Sequence, residues 1–335
     1  MADKVRPTQR GIAARAGISV GAVSRALAGD PKIAKKTRQL VESIAAELGY
    51  TPDRAAQRLR TGRTHVIYLM LPPHDEIFGF GTSLVRGISN ALVGTPYHLV
   101  IMPDFGLEDQ ETAIARVVQN KQADGIIFSR TTPNDVRVRY LSKVGFPFIC
   151  HGRTTLPTPY PFVDYDNFEF ARQAAQHLVA QGAKRLSIIA PPISLTFHQH
   201  LLDGLRSTGT AFEVLTTATL DDREDVIKDA IQARLRRPSP PDGWICPGEV
   251  SGLAALAAAH DAGRIPGRDI HFVAKQTTGL FGLVRPKTHT LYENIPAAGA
   301  QLATLLLRRI AGETPDDLHY LQPVSDERPH QIPKE

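Results

Sequence analysis

The sequence is poor in cysteine and has no long apolar run. Its 335 residues include two cysteines, Cys150 and Cys246. Two cysteines without a CxxC spacing cannot build a disulfide framework, which favours a reducing compartment. No apolar run approaches the roughly 18–20 residues of a membrane span, and no apolar stretch follows the charged start MADKVRPTQR as in a secretory signal. These absences predict a cytoplasmic protein.

The composition and the length together predict a folded chain of several domains. Hydrophobic residues make up 42% of the chain and charged residues 22%, which excludes a disordered polyelectrolyte and provides enough apolar material for large cores. At roughly 150 residues per domain, 335 residues indicate two or three domains.

The net charge of +5 is unevenly distributed along the chain. Residues 1–63 contain 13 Lys and Arg against 5 Asp and Glu, a net charge of +8, whereas the remainder carries a net charge of −3. A small basic end on a slightly acidic remainder indicates a polyanionic partner for the N-terminal part alone.

The basic end has the pattern of three short helices. Thr8 and Ser19 are candidate N-caps for helices over about 9–16 and 20–27, and a third helix is expected over about 34–48. Val20, Val23 and Leu27 share one face of the second helix by their spacing. A helix, a tight glycine turn, a second helix and a supporting third helix form the helix-turn-helix arrangement.

The outward face of the second helix suits the major groove of DNA. It carries Ser19, Gly21, Ala22, Ser24 and Arg25, which are small or hydroxylic residues plus one long cation. A groove about 12 Å wide admits a helix whose leading face is not bulky, and an arginine reads guanine O6 and N7 with two hydrogen bonds. The two serines suit phosphate oxygens.

Two stretches, TQRGIAARAGISVGAVSRALAG and TRQLVESIAAELGYTPDRAAQRLRTGRT, resemble the DNA-binding head and hinge of the LacI/GalR (lac repressor) family. The resemblance continues less sharply through the whole chain. Gly11, Ala28, Ala34 and Asp53 depart from the residues usual in the family at their positions. The resemblance and the helix pattern give one set of expected DNA-binding residues: Thr8, Ser19, Val20, Gly21, Ala22, Ser24, Arg25, Thr37, Tyr50, Arg54, Ala56 and Leu59.

Residues 53–60, DRAAQRLR, form the expected hinge helix. A helix of about two turns is far shorter than the roughly 12–15 residues that a helix needs for independent stability. This segment is therefore expected to fold on DNA against the same segment of a second subunit. In view of the resemblance, Leu59 is expected to enter the minor groove as an apolar wedge that bends the duplex.

From residue 66 onward, apolar runs alternate with helical stretches. This pattern predicts parallel sheets covered by helices on both faces. The predicted strands lie at 66–71, 97–102, 124–128, 147–151, 185–190, 213–215, 243–246, 269–274 and 317–322, and the predicted helices lie near 83–93, 108–121, 134–143, 167–181, 198–208, 222–235, 249–262 and 295–311.

The predicted fold class is an all-α helix-turn-helix head joined to an α/β body of two doubly wound lobes, which the resemblance identifies with the periplasmic-binding-protein type. The expected domains are a head over 1–52, a hinge and linker over 53–64 and a body over 65–335. The first lobe is expected to comprise about 65–162 and 291–320, and the second about 163–290 and 321–335.

Other chemistries have little support in the sequence. Residues 17–21 match the GxSxG pattern, but a nucleophile elbow needs a preceding strand, and a helix is expected there. Residues 79–81 lack the third glycine of a dinucleotide loop, and no phosphate-binding GxxxxGK[ST] occurs. His198 and His200 have no acidic or cysteine cluster beside them for a metal. No cofactor, metal or catalytic residue is therefore expected.

Ligands of open α/β sheets bind at the carboxyl ends of the strands. That rule selects aromatic, charged and amide residues, a mixture that suits a sugar because rings cover C–H faces while carboxylates and forked donors bind hydroxyls. The expected effector-binding residues are Asp75, Phe78, Phe80, Ser129, Arg130, His151, Arg153, Asp164, Asp166, Phe197, His200, Glu249, Lys275 and Gln276. Residues 275–278, KQTT, stand where the family often has a carboxylate ligand, so the family does not supply the identity of the effector.

The sequence thus predicts a homodimeric transcriptional regulator, and the resemblance favours a repressor. Two heads would bind a palindromic operator in double-stranded DNA, because a protein two-fold axis requires matching half-sites, and a small-molecule effector in the cleft, expected to be a sugar, would tune that binding. The alternatives are a sugar-binding protein or a sugar-metabolising enzyme that binds no operator. The missing signal peptide and the basic head oppose the first, and no catalytic constellation supports the second.

Overall fold

The computed structural model describes residues 7–27, 29–51, 58, 62–71, 79–103 and 109–326. The chain divides into two compact units, Met1–Thr64 and His65–Glu335, and each is described by itself. None of the described helices has the length and apolar character that a membrane span requires.

The first unit contains the three predicted helices. They are α1 (Gln9–Ala16), α2 (Val20–Leu27) and α3 (Lys35–Leu48). The Thr8 hydroxyl accepts a hydrogen bond from the Gly11 N–H and caps α1, and Gly17 ends it with φ at +66°, a conformation that glycine adopts without steric cost. The turn into α2 is therefore tight, as a helix-turn-helix requires.

One side chain of α2 is more exposed than its spacing predicts. Val23 and Ala26 are buried against Ile12 of α1 and Val41 of α3, but Val20 is 41% exposed. The spacing rule placed Val20 with the inward stripe, and this was wrong because the buried stripe runs through Val23 and Ala26 instead. The exposure of Val20 agrees with its place among the expected DNA-binding residues.

The second unit begins with a six-stranded parallel sheet in the order β11-β5-β4-β3-β1-β2. Helices cover both of its faces, because neighbouring residues such as Ile126 and Ile127 point into separate cores. Its strands are β1 (Val66–Leu71), β2 (His98–Pro103), β3 (Gly125–Ser129), β4 (Phe148–His151), β5 (Phe162–Tyr165) and β11 (His319–Gln322); its helices are α4 (Phe80–Leu92), α5 (Gln110–Gln119), α6 (Val136–Val144) and α11 (Ile295–Ile310).

A second parallel sheet of five strands follows, in the order β10-β9-β8-β6-β7. Trp244 and Phe272 enter the core on one face, and Ile245 and Val273 enter the core on the other. Its strands are β6 (Leu186–Ile188), β7 (Phe212–Val214), β8 (Gly243–Cys246), β9 (His271–Gln276) and β10 (His289–Tyr292); its helices are α7 (Asn167–Ala180), α8 (Thr196–Arg206), α9 (Glu224–Leu235) and α10 (Glu249–Asp261).

The strand pairing shifts the expected lobe boundaries by a few residues. Residues 162–165 pair with β4 and β11, so the first sheet extends three residues past the predicted boundary at 162. Residues 289–292 pair with β9 of the second sheet, and all of residues 319–322 pair in the first sheet. Neither β5 nor β10 was predicted as a strand, and both lie where the chain changes lobe.

Helices α4 and α11 pack backbone to backbone. A Cβ atom at Gly87 would overlap the carbonyl oxygen of Pro296, and one at Gly299 would lie 2.5 Å from the carbonyl oxygen of Leu84. Carbonyl oxygens in helices cannot move aside as a flexible side chain can. The two glycines therefore allow this close approach, which places α4 over the first sheet.

Gly87→Ala is expected to destabilise the second unit by about 1–3 kcal/mol, the usual cost of overpacking. Urea unfolding of the full-length protein, followed by circular dichroism, measures this loss. Gly282→Ala is the matched control, because nothing lies within 4 Å of a Cβ built there and its backbone is not left-handed. Equal stability of the two variants would contradict the close packing of α4 and α11.

Candidate DNA-binding face and effector cleft

The exposed face of α2 presents a compact set of small side chains and one arginine. Ser19, Val20, Gly21 and Arg25 are exposed. The Ser19 hydroxyl accepts the N–H of Ala22 at 3.2 Å and caps the helix, while Arg25 Nε lies 3.4 Å from the Gly21 carbonyl oxygen. Arg25 is thus exposed and runs along the helix surface towards Gly21.

The other predicted DNA-binding residues occupy varied positions in the first unit. Thr8 is exposed and caps α1, whereas Ala22, Ser24 and Thr37 are half-buried. Tyr50 follows Gly49 and packs against the core of the three helices, so much of its ring is used in folding. Three of the predicted residues lie outside the described residues: Arg54, Ala56 and Leu59.

A cleft opens in the second unit where the strands of both sheets end. All strand pairs in the two sheets are parallel, so the carboxyl ends of each sheet share one edge. The residues that line the cleft come from both lobes: Phe80, Ser129, Arg130, Thr131, His151, Gly152, Asp164, Tyr165, Asn167, Phe197, Lys275 and Glu293.

The two lobes contact each other directly at the cleft. The backbone N–H and the hydroxyl of Thr196, in the first turn of α8, donate to the carbonyl oxygen of Thr131 at 3.0 and 3.1 Å. An ion pair joins Arg130 of the first lobe to Asp221 of the second. The carboxyl end of the first sheet therefore supplies an acceptor to the otherwise unpaired N-terminus of a helix in the second lobe.

Two further ion pairs lie inside the cleft. Arg153 Nε donates to Asp164 Oδ2 at 2.7 Å. Lys275 Nζ lies 3.0 Å from Glu293 Oε2 and donates to Asn167 Oδ1 at 2.7 Å. Both Lys275 and Glu293 are buried, so this pair is held by hydrogen bonds as a buried pair must be.

Four polar atoms around the cleft are buried without a hydrogen-bond partner among the described residues. They are Ser129 Oγ, His151 Nε2, Tyr165 OH and His200 Nδ1. A buried polar atom left unpaired costs about 1–3 kcal/mol. Their gathering at one place therefore favours a ligand whose own donors and acceptors complete them.

Burial shifts two protonation equilibria at the cleft. Burial raises the pKa of Asp164 above its ordinary value, although Arg153 acts in the opposite direction. Burial lowers the pKa of His200, and the positive charge of Arg153 lowers it further. His200 is therefore neutral at pH 7, so its ring offers one donor and one acceptor.

Seven of the predicted effector-binding residues line the cleft: Phe80, Ser129, Arg130, His151, Asp164, Phe197 and Lys275. Arg153 and His200 do not line the cleft, but both contact Asp164, which does. Arg153 forms an ion pair with the Asp164 carboxylate, and His200 Nδ1 lies 3.9 Å from it. Asp75 and Phe78 lie outside the described residues.

Three other predicted residues are placed away from the cleft lining. Glu249 is fully buried, and its carboxylate accepts the N–H groups and hydroxyls of Thr277 and Thr278. Asp166 caps α7 by accepting the N–H of Glu169. Gln276 ends β9, where its carbonyl oxygen accepts the N–H of Glu293. Helix capping and loop anchoring account for these positions, because strand ends in α/β folds carry both functions.

The carboxyl-end rule also selected Gly152 after β4, so four lining residues were missed by the sequence analysis: Thr131, Tyr165, Asn167 and Glu293. Tyr165 ends β5 and Asn167 begins the helix after it, while Glu293 follows β10. These three residues follow the carboxyl-end rule, but the two strands that position them had not been recognised. Tyr165, Asn167 and Glu293 were therefore not predicted as binding residues, because β5 and β10 were not predicted as strands.

Comparison with known proteins places both units. The family described as bacterial regulatory proteins, lacI family, matches residues 8–53, and the family of periplasmic binding proteins and the sugar binding domain of the LacI family matches residues 64–328. The regulator AglR of Rhizobium meliloti is 31% identical over 89% of this chain and 86% of its own. RafR of Escherichia coli is 29% identical over 92% and 94%.

Solved structures agree with this assignment. A structure of the transcriptional regulator CelR in complex with cellobiose has a TM-score of 0.67 at 25% identity, covering 96% of this chain and 98% of its own. A lac repressor dimer bound to operator shares the fold with a TM-score of 0.78 at 20% identity, covering 96% and 97%. These matches confirm the predicted fold class and the resemblance, and the chain belongs to the LacI family of transcriptional regulators.

Proposed function

We propose that this regulator acts as a homodimeric repressor in the cytoplasm, binding a palindromic operator through residues 1–52 and a sugar through residues 65–335. The observation that carries the sugar assignment is the set of buried polar atoms without a hydrogen-bond partner among the described residues: Ser129 Oγ, His151 Nε2 and Tyr165 OH in the lining and His200 Nδ1 behind it. Phe80 and Phe197 line the same cleft. Aromatic rings and hydrogen-bonding side chains suit the C–H faces and hydroxyls of a sugar.

Related proteins support this proposal. CelR is solved with cellobiose, and AglR and RafR are described as helix-turn-helix transcriptional regulators. The curated relatives are regulators, which supports a regulator and not an enzyme. The basic N-terminal part, with a net charge of +8 over residues 1–63, supports DNA as its partner.

On this proposal, the exposed face of α2 enters the major groove. Ser19, Val20, Gly21 and Arg25 meet base edges or phosphates, and the hinge over 53–64 folds on the operator with Leu59 in the minor groove. Sugar binding changes the arrangement of the two lobes and thereby the free energy of hinge folding, so the two sites are thermodynamically linked.

Arg25→Ala is expected to weaken operator binding by about 1–3 kcal/mol and to relax the base preference at one position. Gel-shift titrations of the operator and of a scrambled duplex, at two salt concentrations, separate the loss of base recognition from the loss of charge. Arg15→Ala is the control, because Arg15 lies on α1 and faces Glu47 at 3.7 Å. Equal losses on both duplexes would contradict base reading by Arg25.

Ser129→Ala is expected to weaken sugar binding roughly fivefold without loss of stability. Its hydroxyl has no partner among the described residues, so deletion removes a bond that only the ligand completes, worth about 1 kcal/mol. Ser187→Ala is the matched control, since Ser187 carries a second unpartnered buried hydroxyl inside β6. Calorimetric titration with the neutral sugar that the wild-type protein binds measures the difference. A stability loss in Ser129→Ala with unchanged affinity would contradict the ligand role.

A further inference from the structure

Three ion pairs at the cleft match every nearby cation to a carboxylate. Arg153 pairs with Asp164 and Lys275 pairs with Glu293 within the walls, while Arg130 pairs with Asp221 across the lobes. The described cleft therefore contains as many carboxylates as lysines and arginines.

Asp221 differs from the other two carboxylates because it reaches Arg130 from the opposite lobe. It lies in the loop between β7 and α9. Leu220 is buried, and its N–H donates to the carbonyl oxygen of Ala190. The N–H and hydroxyl of Thr219 donate to Asp222 Oδ2. These bonds hold the loop in place, so Asp221 faces Arg130 without the entropy loss of ordering a free loop.

Arg130 is equally well held. Its backbone lies in the left-handed region with φ at +56°, which costs a non-glycine residue about 1–3 kcal/mol and persists only where the surroundings enforce it. The surroundings here are a buried ion pair, because Arg137 Nη2 bonds both Asp135 Oδ2 and the carbonyl oxygen of Arg130. The backbone of Arg130 is thus held at the cleft wall, and its guanidinium pairs with Asp221.

We propose that Asp221 makes the cleft selective for uncharged sugars by neutralising Arg130. This inference rests on the proposed sugar-binding function of the same cleft. A phosphorylated or acidic sugar would enter a site whose cations already have carboxylate partners, and an unpaired charge that leaves water is strongly disfavoured. A neutral sugar brings only hydroxyls, which match the unpartnered serine, tyrosine and imidazole groups.

The test is calorimetric titration of the full-length protein with neutral mono-, di- and trisaccharides, each beside its own 6-phosphate. Wild-type protein is expected to bind one neutral sugar and to bind its 6-phosphate at least tenfold more weakly. Asp221→Asn leaves Arg130 without its carboxylate partner, so the variant is expected to bind the sugar phosphate more tightly. The ratio of the Kd of the 6-phosphate to the Kd of the neutral sugar is expected to fall about fivefold, the size of one partly exposed ion pair.

Asp261→Asn is the matched control. Asp261 pairs with Lys228 between α9 and α10 at 3.1 Å, and its side chain is 40% exposed, against 39% for Asp221. Asp261→Asn should leave the ratio of the two Kd values, for the 6-phosphate and for the neutral sugar, at the wild-type value. Thermal melting should show that both variants are folded.

Two results would overturn the selectivity role while leaving the proposed function in place. One is wild-type protein that prefers a 6-phosphate over its neutral sugar. The other is an Asp221→Asn variant whose ratio equals that of Asp261→Asn. A protein that binds its operator but none of the sugars or phosphates would overturn the proposed sugar function, and with it this inference.

Discussion

The parallel direction of the strands in both sheets is the constraint on which the cleft depends. Because every strand pair in the two sheets is parallel, each sheet delivers all its carboxyl-end loops to one edge. Residues as distant in sequence as Ser129, Asp164 and Lys275 therefore line one space. Changes of lobe at 165–167 and 292–295 keep that geometry, since both fall immediately after strands.

The sequence was sufficient for the fold and for most of the cleft lining, and the four missed residues have a physical cause. Strands buried on both faces, such as residues 125–129, are continuously apolar and were recognised. β5, with the sequence FVDY, carries Asp164 into the cleft, and β10, with the sequence HTLY, lies at a sheet edge. Polar residues broke their apolar pattern, so Tyr165 and Glu293 were missed together with the strands before them.

Burial also decided which predicted polar residues are available to a ligand. Glu249 and Asp164 both follow or end strands, and both are almost fully buried. Glu249 makes four hydrogen bonds to Thr277 and Thr278 and has no capacity left for a ligand. Asp164 instead faces Arg153 and His200 at the cleft wall. A sequence cannot separate these two cases, because the partners that saturate Glu249 come from 28 and 29 residues further along the chain.

The two units differ in whether their positive charges are paired, and this difference suits the two partners that are proposed for them. In the first unit, positive charges remain exposed on short helices, which suits a polyanion in water. In the cleft, each lysine and arginine has a carboxylate partner, which leaves the unpartnered hydroxyl and imidazole atoms to define the ligand. The bonds from Thr196 to Thr131 and from Arg130 to Asp221 join the lobes directly. A sugar that binds between these contacts shifts the lobe equilibrium only by its differential affinity for the two arrangements, so residues that touch both lobes set the size of the response.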